Sequence, residues 1–368
     1  MSGRRRRFDR ARRLAILTLA GFFWLSGSAC DSLAQTRLAP TRPPASSGIW
    51  ISHEEIRALP MSGPAWAALR EAAGGPIQNP DLSNQNDMSN VRVFAKALYF
   101  VRTGEAAYRE DVIDACRRIR GTEDGARTLA LSRELMAYVI AADLVGLDAD
   151  EKRDFSQWLE NLSARRFQER TIRSTHEDRP NNWGTHAGAT RLAIAAYLGD
   201  REEIERAAHV FSGWTGESSG WQGFKFGETW WQAEKARSFA VNPRRSTRAG
   251  HSIDGVLPDD QRRGGPFAWP PPKENYVWEA LQGAIAQAVM LERQGYESWS
   301  WGNRALLRAL EWLHREAHYP AEGDDTWIPP IVNRAYGTQF PAPIPSQPGK
   351  AIGFSGWTHA AEIATDTP

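Results

Sequence analysis

The chain has 368 residues, enough to bury a sizeable core, and its 45 Lys plus Arg against 44 Asp plus Glu give a formal net charge of +1. That balance excludes a chain-wide basic field for nucleic acid, so any anion recognition must be local. Of the two cysteines, Cys30 falls in the N-terminal segment and Cys116 in a helical context, so no disulfide is expected and stability must come from the core.

Residues 1–34 read as an export signal. A basic head, R-R-R-R-F-D-R-A-R-R, precedes the apolar run Leu14–Leu25, which is too short to span a bilayer, and a small-x-small site ends at Ala34. The expected location is periplasmic or secreted. Cys30 follows Gly27-Ser28-Ala29 in a sequence similar to a lipoprotein box without its leading aliphatic residue, which leaves a lipid anchor open. Residues 35–48, rich in Pro and Ser, are expected to form a tether, and 49–368 a single domain.

From Ser52 onward the pattern is helical. Ser52 with Glu55 reads as a capping box, and Ser62-Gly63-Pro64 opens a second helix. Val93, Ala97, Phe100 and Val101 form one apolar stripe that stops at Gly104. The same helix–glycine–helix pattern recurs at Gly146, Gly199 and Gly295, with Asp148/Glu151 and Asp200/Glu203 starting the next helices. Stops spaced by roughly forty to fifty residues, the last gap counting double, suit stacked antiparallel helical hairpins, as in an α/α toroid or solenoid; unrelated antiparallel helices share the pattern. Convincing β alternation is absent.

The stretch Arg173–Asp200 joins a polar, turn-prone half to a small-residue helix. Asn181 and Asn182 follow Pro180 at the join, where a helix N-terminus offers unpaired N–H groups and positive partial charge to an anion. Asn182 and His186 are four residues apart and project from one face. Two long irregular regions, about 238–273 and 319–353, are dense in Trp, Tyr, Phe and Arg and read as binding or lid elements over a cleft.

The ordered set Asn181-Asn182 and a His at a helix start, then Asp254-Gly255-Val256-Leu257-Pro258 followed by an Arg-Gly pair, then Asn275-Tyr276 leading a small-residue helix, resembles the alginate lyase family. The resemblance runs from about Asn90 to about Trp312. It implies an all-α, incomplete α/α toroid that cleaves uronic-acid polymers by β-elimination, alginate or a glucuronan-like chain, without a cofactor. It also implies that an Asn and a His neutralise the substrate carboxylate, a Tyr handles protons and an Arg assists. Asn182 and Tyr276 match the amide and the tyrosine. The histidine departs from the pattern, because Trp183 directly follows the two Asn; His186 or His251 takes the role, and Arg263 is the arginine expected.

Residue chemistry points the same way. Removing a proton α to a carboxylate builds negative charge there, which preorganised donors must meet. A tyrosine, with an ordinary pKa of about 10, serves as base only where cations favour the phenolate. Asn181, Trp183, Arg248, Trp269 and Trp231 are expected to bind substrate, since indole faces suit sugar rings and a local basic loop of Arg244, Arg245, Arg248, Arg262 and Arg263 suits an anionic polysaccharide. Trp221, Trp230, Trp327 and Trp357 are further aromatics in loops or helix ends, and about half of this aromatic set is expected in the core.

Plainer readings stand beside these. Asn181-Asn182 can be a turn and cap, His186 a core histidine, and Tyr276 a packing residue. His176, Glu177 and Asp178 could ligate a metal, but no HExxH or paired-Cys spacing accompanies them, so no metal is expected. A glycoside hydrolase using Glu228 and Asp254, and a non-catalytic polysaccharide-binding protein, are the rival functions. A monomer is expected.

Overall fold

A computed structural model describes residues 38–43, 48–347 and 349–360; the expected signal segment, Cys30 and most of the tether lie outside them. The described residues belong to one compact unit. Fourteen α-helices run through it among the described residues: α1 (His53–Ala58), α2 (Gly63–Gly74), α3 (Ser89–Thr103), α4 (Ala106–Arg118), α5 (Thr128–Val145), α6 (Ala149–Ala164), α7 (Ile172–Asp178), α8 (Asn182–Leu198), α9 (Arg201–Thr215), α10 (Pro258–Gln261), α11 (Asn275–Arg293), α12 (Trp301–Arg315), α13 (Ile328–Tyr336) and α14 (Ser355–Thr358).

The helices form two layers. The inner helices α3, α5, α8 and α11 are buried along most of their length, and they pack in that order, α3 on α5, α5 on α8 and α8 on α11. Outer helices α4, α6 and α9 bury one stripe each; in α6 it is Phe155, Leu159 and Leu162. The hairpins α3/α4, α5/α6, α8/α9 and α11/α12 turn at or next to Gly104, Gly146, Gly199 and Gly295, as the sequence pattern requires, and the resulting α/α toroid is the expected fold class. At Gly199, φ is +72°, a conformation that favours glycine. The next residue, Asp200, donates its N–H back to the Ala195 carbonyl (2.9 Å), and its side chain caps α9 at Glu203 N (3.0 Å). Ser52 and Glu55 form the expected capping box, whereas Asp148 sits at the start of α6 without a side-chain cap bond.

Both irregular regions hold more structure than their composition indicates. The first contains a two-residue hairpin, β1 (Thr247–Arg248) and β2 (His251–Ser252), pairing Thr247 with Ser252 and Arg248 with His251, and also α10. Its turn is Ala249-Gly250, both at positive φ. The second contains α13, whose Pro329 and Pro330 sit in the first turn, where a missing N–H costs nothing. Helix α13 packs on α11 and α14, and α14 packs on α2. Part of the expected tether is docked, because the N–H groups of Thr41 and Arg42 donate to Gly295 O at 2.9 and 3.2 Å.

The α8/α11 contact positions the site and depends on absent side chains. A Cβ on Gly283 of α11 would fall 2.3 Å from Thr185 C and 2.4 Å from His186 N; one on Gly184 would fall 1.8 Å from Arg179 O. The two helices therefore approach backbone to backbone, and Gln287 Nε2 donates to Thr185 O across the seam (3.0 Å). Gly283→Ala is expected to force them apart and to lower unfolding free energy by about 1–3 kcal/mol or more in a urea titration, the cost of overpacking.

Candidate active site

The site is built where α8 and α11 begin. Asn181 caps α8 from an extended backbone, its side-chain oxygen accepting from Trp183 N (3.2 Å) and its Nδ2 donating to Asp259 Oδ2 (2.8 Å). Asn182 N donates to Asp260 Oδ1 (3.0 Å). The Asp259-Asp260 pair of α10 thus answers the two asparagines, placing acidic groups where the helix end is positive. Burial pushes the Asp260 carboxyl well above its usual range, which reduces the charge held there.

Beneath the surface, four elements converge on one carboxylate. Glu279 of α11 accepts from Asn182 Nδ2 (3.1 Å), from Arg133 of α5 (3.1 Å) and from Asn275 Nδ2 (3.5 Å), and Lys350 Nζ lies 3.7 Å away. Arg133 and Glu279 are almost fully enclosed, with side-chain exposures of 2% and 9%. A buried ion pair of this kind holds only because further donors satisfy the carboxylate. Next to it, Gln282 donates to Asp325 Oδ1 (2.8 Å), and Glu134, two-sidedly unpaired among the described residues, is pushed well above the carboxylate range by burial.

Tyr276 stands one turn before Glu279 and is exposed. Its N–H donates to Glu274 Oε1 (3.2 Å), the cap of α11, and the Arg263 guanidinium lies 3.9 Å from the ring centroid. Its hydroxyl makes no hydrogen bond among the described residues. Asn275, also exposed, meets the Tyr319 hydroxyl at 3.4 Å, and Lys273 lies over the Tyr319 ring. An open phenol beside a guanidinium, with amide donors and a lysine around it, can hold an anion and move a proton.

The expected residues divide. Arg263 lies over the Tyr276 ring, and Asn182 reaches α11 one turn further along, at Glu279. Asn182, however, is 0% exposed and gives an amide hydrogen to Glu279, so it backs the site instead of facing solvent. His186 is 1% exposed in the α8/α11 seam; burial, with Arg133 and Lys350 nearby, holds its imidazole well below the ordinary histidine range, so it is neutral and no carboxylate-binding cation. His251 lies on the β hairpin, stacked on Trp269 at 4.2 Å and 12°, and among the described residues no hydrogen bond or ring contact links it to Asn182 or Tyr276. Asn181 is consumed as a cap. Trp231 is 0% exposed with its indole N–H on Gly265 O (3.0 Å), so it is core and no sugar platform, because a loop indole with a backbone acceptor is as easily buried. Arg248 latches the loop onto the Gln232 (3.0 Å) and Thr229 carbonyls. Trp183 is half-buried beneath the Arg127 guanidinium. Trp327 and Trp357 are core, and Trp230 is exposed.

The rival sites are spoken for. Asp254 pairs with Arg308 (2.5 Å) and accepts from Arg245 N, and Glu228 pairs with Arg262. His176 and Glu177 contact Arg191, while Asp178 pairs with Arg170 and Lys225. No group of three or more His, Cys, Asp or Glu suited to a metal occurs among the described residues. Cavities of about 470 and 380 Å³ lie at the far ends of α8 and α11, lined by residues such as Arg191 and Leu198 in one and Arg293 and Tyr296 in the other.

Arg133, Glu279, Asn275 and Lys350 are absent from the expected set. A trace of the first was visible, since Arg133-Glu134 interrupts the mostly apolar run Leu129–Val145, where a charged pair must find buried partners. Burial also pushes Asp325 up to about 7, against the Gln282 hydrogen bond and Lys350. The unfolded chain releases that proton near pH 4, so the native state loses stability as pH rises from there through about 7, by roughly 4 kcal/mol at most. Asp325→Asn is expected to raise stability above pH 7 and to flatten that part of the profile relative to wild type, as read by thermal melts across pH.

Comparison with known proteins gives the class. Residues 78–218, from before α3 through α9, match the alginate lyase family model, which indicates a polysaccharide lyase. Over that span it is consistent with an alginate lyase family member. The fold is shared with crystallised alginate lyase A1-III from Sphingomonas species A1, at 10% identity and a TM-score of 0.50 over 88% of this chain and 86% of that one. A histidine-to-alanine variant of alginate lyase A1-III complexed with a tetrasaccharide gives 12%, 0.54, 90% and 98%. No curated protein matches the chain. No helix among the described residues is long and apolar enough to cross a membrane.

Proposed function

We propose that the protein is an exported lyase that cleaves a uronic-acid polymer, alginate or a glucuronan-like chain, by β-elimination at Tyr276. The observation that carries this reading is the exposed Tyr276 ring under the Arg263 guanidinium at 3.9 Å, one turn before a carboxylate tied to Asn182. Acting as the phenolate, Tyr276 removes the proton α to the uronate carboxylate; the resulting phenol returns a proton to the departing glycosidic oxygen. In mannuronate and glucuronate both bonds change on one face of the sugar, so a single side chain serves as base and then as acid. Asn182 and Glu279 fix the start of α11 against α8 and hold the phenol in place. Export rests on the basic head and short apolar run of residues 1–34.

Incubating the full-length protein with a panel of uronate and neutral polymers tests the reading. Ultraviolet absorbance from unsaturated uronate ends is expected with one or more uronate polymers and with no neutral one. Cleavage without the chromophore, or binding without cleavage, overturns it.

A further inference from the structure

Elimination is helped by donors and cations on the substrate carboxylate, and neither expected histidine supplies a cation. His186 is buried and neutral, and His251 is on the β hairpin. Arg133 is enclosed and committed to Glu279, and Arg263 covers the phenol ring. Resting on the lyase reading, we propose that Lys350, carried over the start of α11 by the C-terminal segment, is the substrate-binding cation that neutralises the uronate carboxylate.

Three observations place Lys350 there. Its backbone is held, since its carbonyl accepts from Asn90 Nδ2, and the preceding Gly349 passes Trp327 so closely that a Cβ would fall 2.3 Å from the indole nitrogen and 2.4 Å from Ile352 O. Nearby, Gln347 N donates to Thr326 Oγ1 (2.8 Å), so the segment is fastened on both sides of the lysine's approach. Its ammonium is loosely held, 3.7 Å from Glu279 Oε1 and 3.4 Å from Asp324 Oδ2, with the side chain 27% exposed. The Glu279 charge is already met by Arg133 at the shorter distance of 3.1 Å, and Asp324 is partly exposed, so it can turn to solvent and yield its place to a substrate carboxylate. The anion would then sit on Lys350 with the Asn275 amide beside it, next to Tyr276 in sequence and space.

The groups facing Lys350 give the proposal a sharp test, with kinetics measured on full-length Lys350→Gln, Lys350→Arg and Asp324→Asn. Loss of one charge-assisted bond raises KM for the uronate polymer about tenfold or more in Lys350→Gln. Lys350→Arg restores most of that loss, and Asp324→Asn, which removes a competing carboxylate, lowers KM. Direct binding of a saturated uronate oligosaccharide weakens in Lys350→Gln and loses part of its salt dependence, whereas binding of its methyl ester, which has no carboxylate, is the same in wild type and variant. Unchanged KM and oligosaccharide affinity in Lys350→Gln, or equal weakening toward acid and ester, overturn the proposal. If wild type forms no unsaturated ends from any uronate polymer, the lyase reading itself fails, a result separate from either. Since the Lys350 head group is partly solvated and its neighbours keep other partners, melting temperatures are expected to stay close to wild type; should Lys350→Gln not fold, the Asp324→Asn result decides.

Discussion

Tyr276→Phe is expected to lower kcat on the uronate substrate about a thousandfold or more, the range lost when one positioned acid/base group is removed. The ring itself remains. It is exposed, its hydroxyl has no hydrogen-bond partner among the described residues, and Arg263 can stack on phenylalanine as on tyrosine. Folding and melting temperature should therefore be unchanged, and KM should move little because the hydroxyl meets the reacting atoms and not the polymer at large. Circular dichroism alongside single-turnover kinetics checks both halves. A variant retaining most of its turnover would remove Tyr276 from the chemistry, whatever the fold.

Replacing Arg133 by methionine is expected to have the largest effect on stability, about 3–5 kcal/mol, because it leaves the enclosed Glu279 carboxylate without its nearest cation. Lys350, at 3.7 Å and more exposed, compensates only in part. The double variant Arg133→Met/Glu279→Met should recover much of the loss, since removing both charges also removes the desolvation penalty, and the coupling between the two sites can be read from a double-mutant cycle in denaturant. Activity should not return with stability. Glu279 also holds the Asn182 and Asn275 amides, and without it the starts of α8 and α11 lose their common tie.

The contrast between these residues and Asn182 shows which features were legible in the sequence. Helix hairpins that stop at Gly104, Gly199 and Gly295 are local patterns, as is the cap at Asn181, and each is realised where the spacing places it. Tyr276 and Arg263 lie at the two ends of the connection from α10 to α11, residues 262–274, so proximity in sequence foretold proximity in space. Glu279 with Arg133 and Lys350 is different. These residues are far apart along the chain, and only the packing of α5, α8 and α11 and the return of the C-terminal segment bring them to one point. His186 shows a related effect: four residues from Asn182 does mean one helix face, but that face turns inward against Gly283, the core position that was its plainer reading, where burial disfavours the imidazole charge. Helix α13 was hidden because two prolines in a row read as a loop, although both fall in a first turn.

Tryptophan was the least legible residue. Trp231 and Trp230 are neighbours in the chain, yet the first is fully enclosed and the second exposed. Nothing in a single sequence distinguishes them; what decides is that the Trp231 indole N–H reaches the Gly265 carbonyl, a contact made by a loop more than thirty residues away.

The central claim is that this site breaks the polymer by elimination, and digestion of a uronate polymer in water enriched in heavy oxygen tests it most directly. Mass spectrometry of the oligosaccharides should find every new pair of ends lighter by one water than a hydrolytic pair, with no heavy oxygen incorporated at the cleavage point. One heavy oxygen atom gained per cleavage, at the reducing end of saturated products, would contradict it.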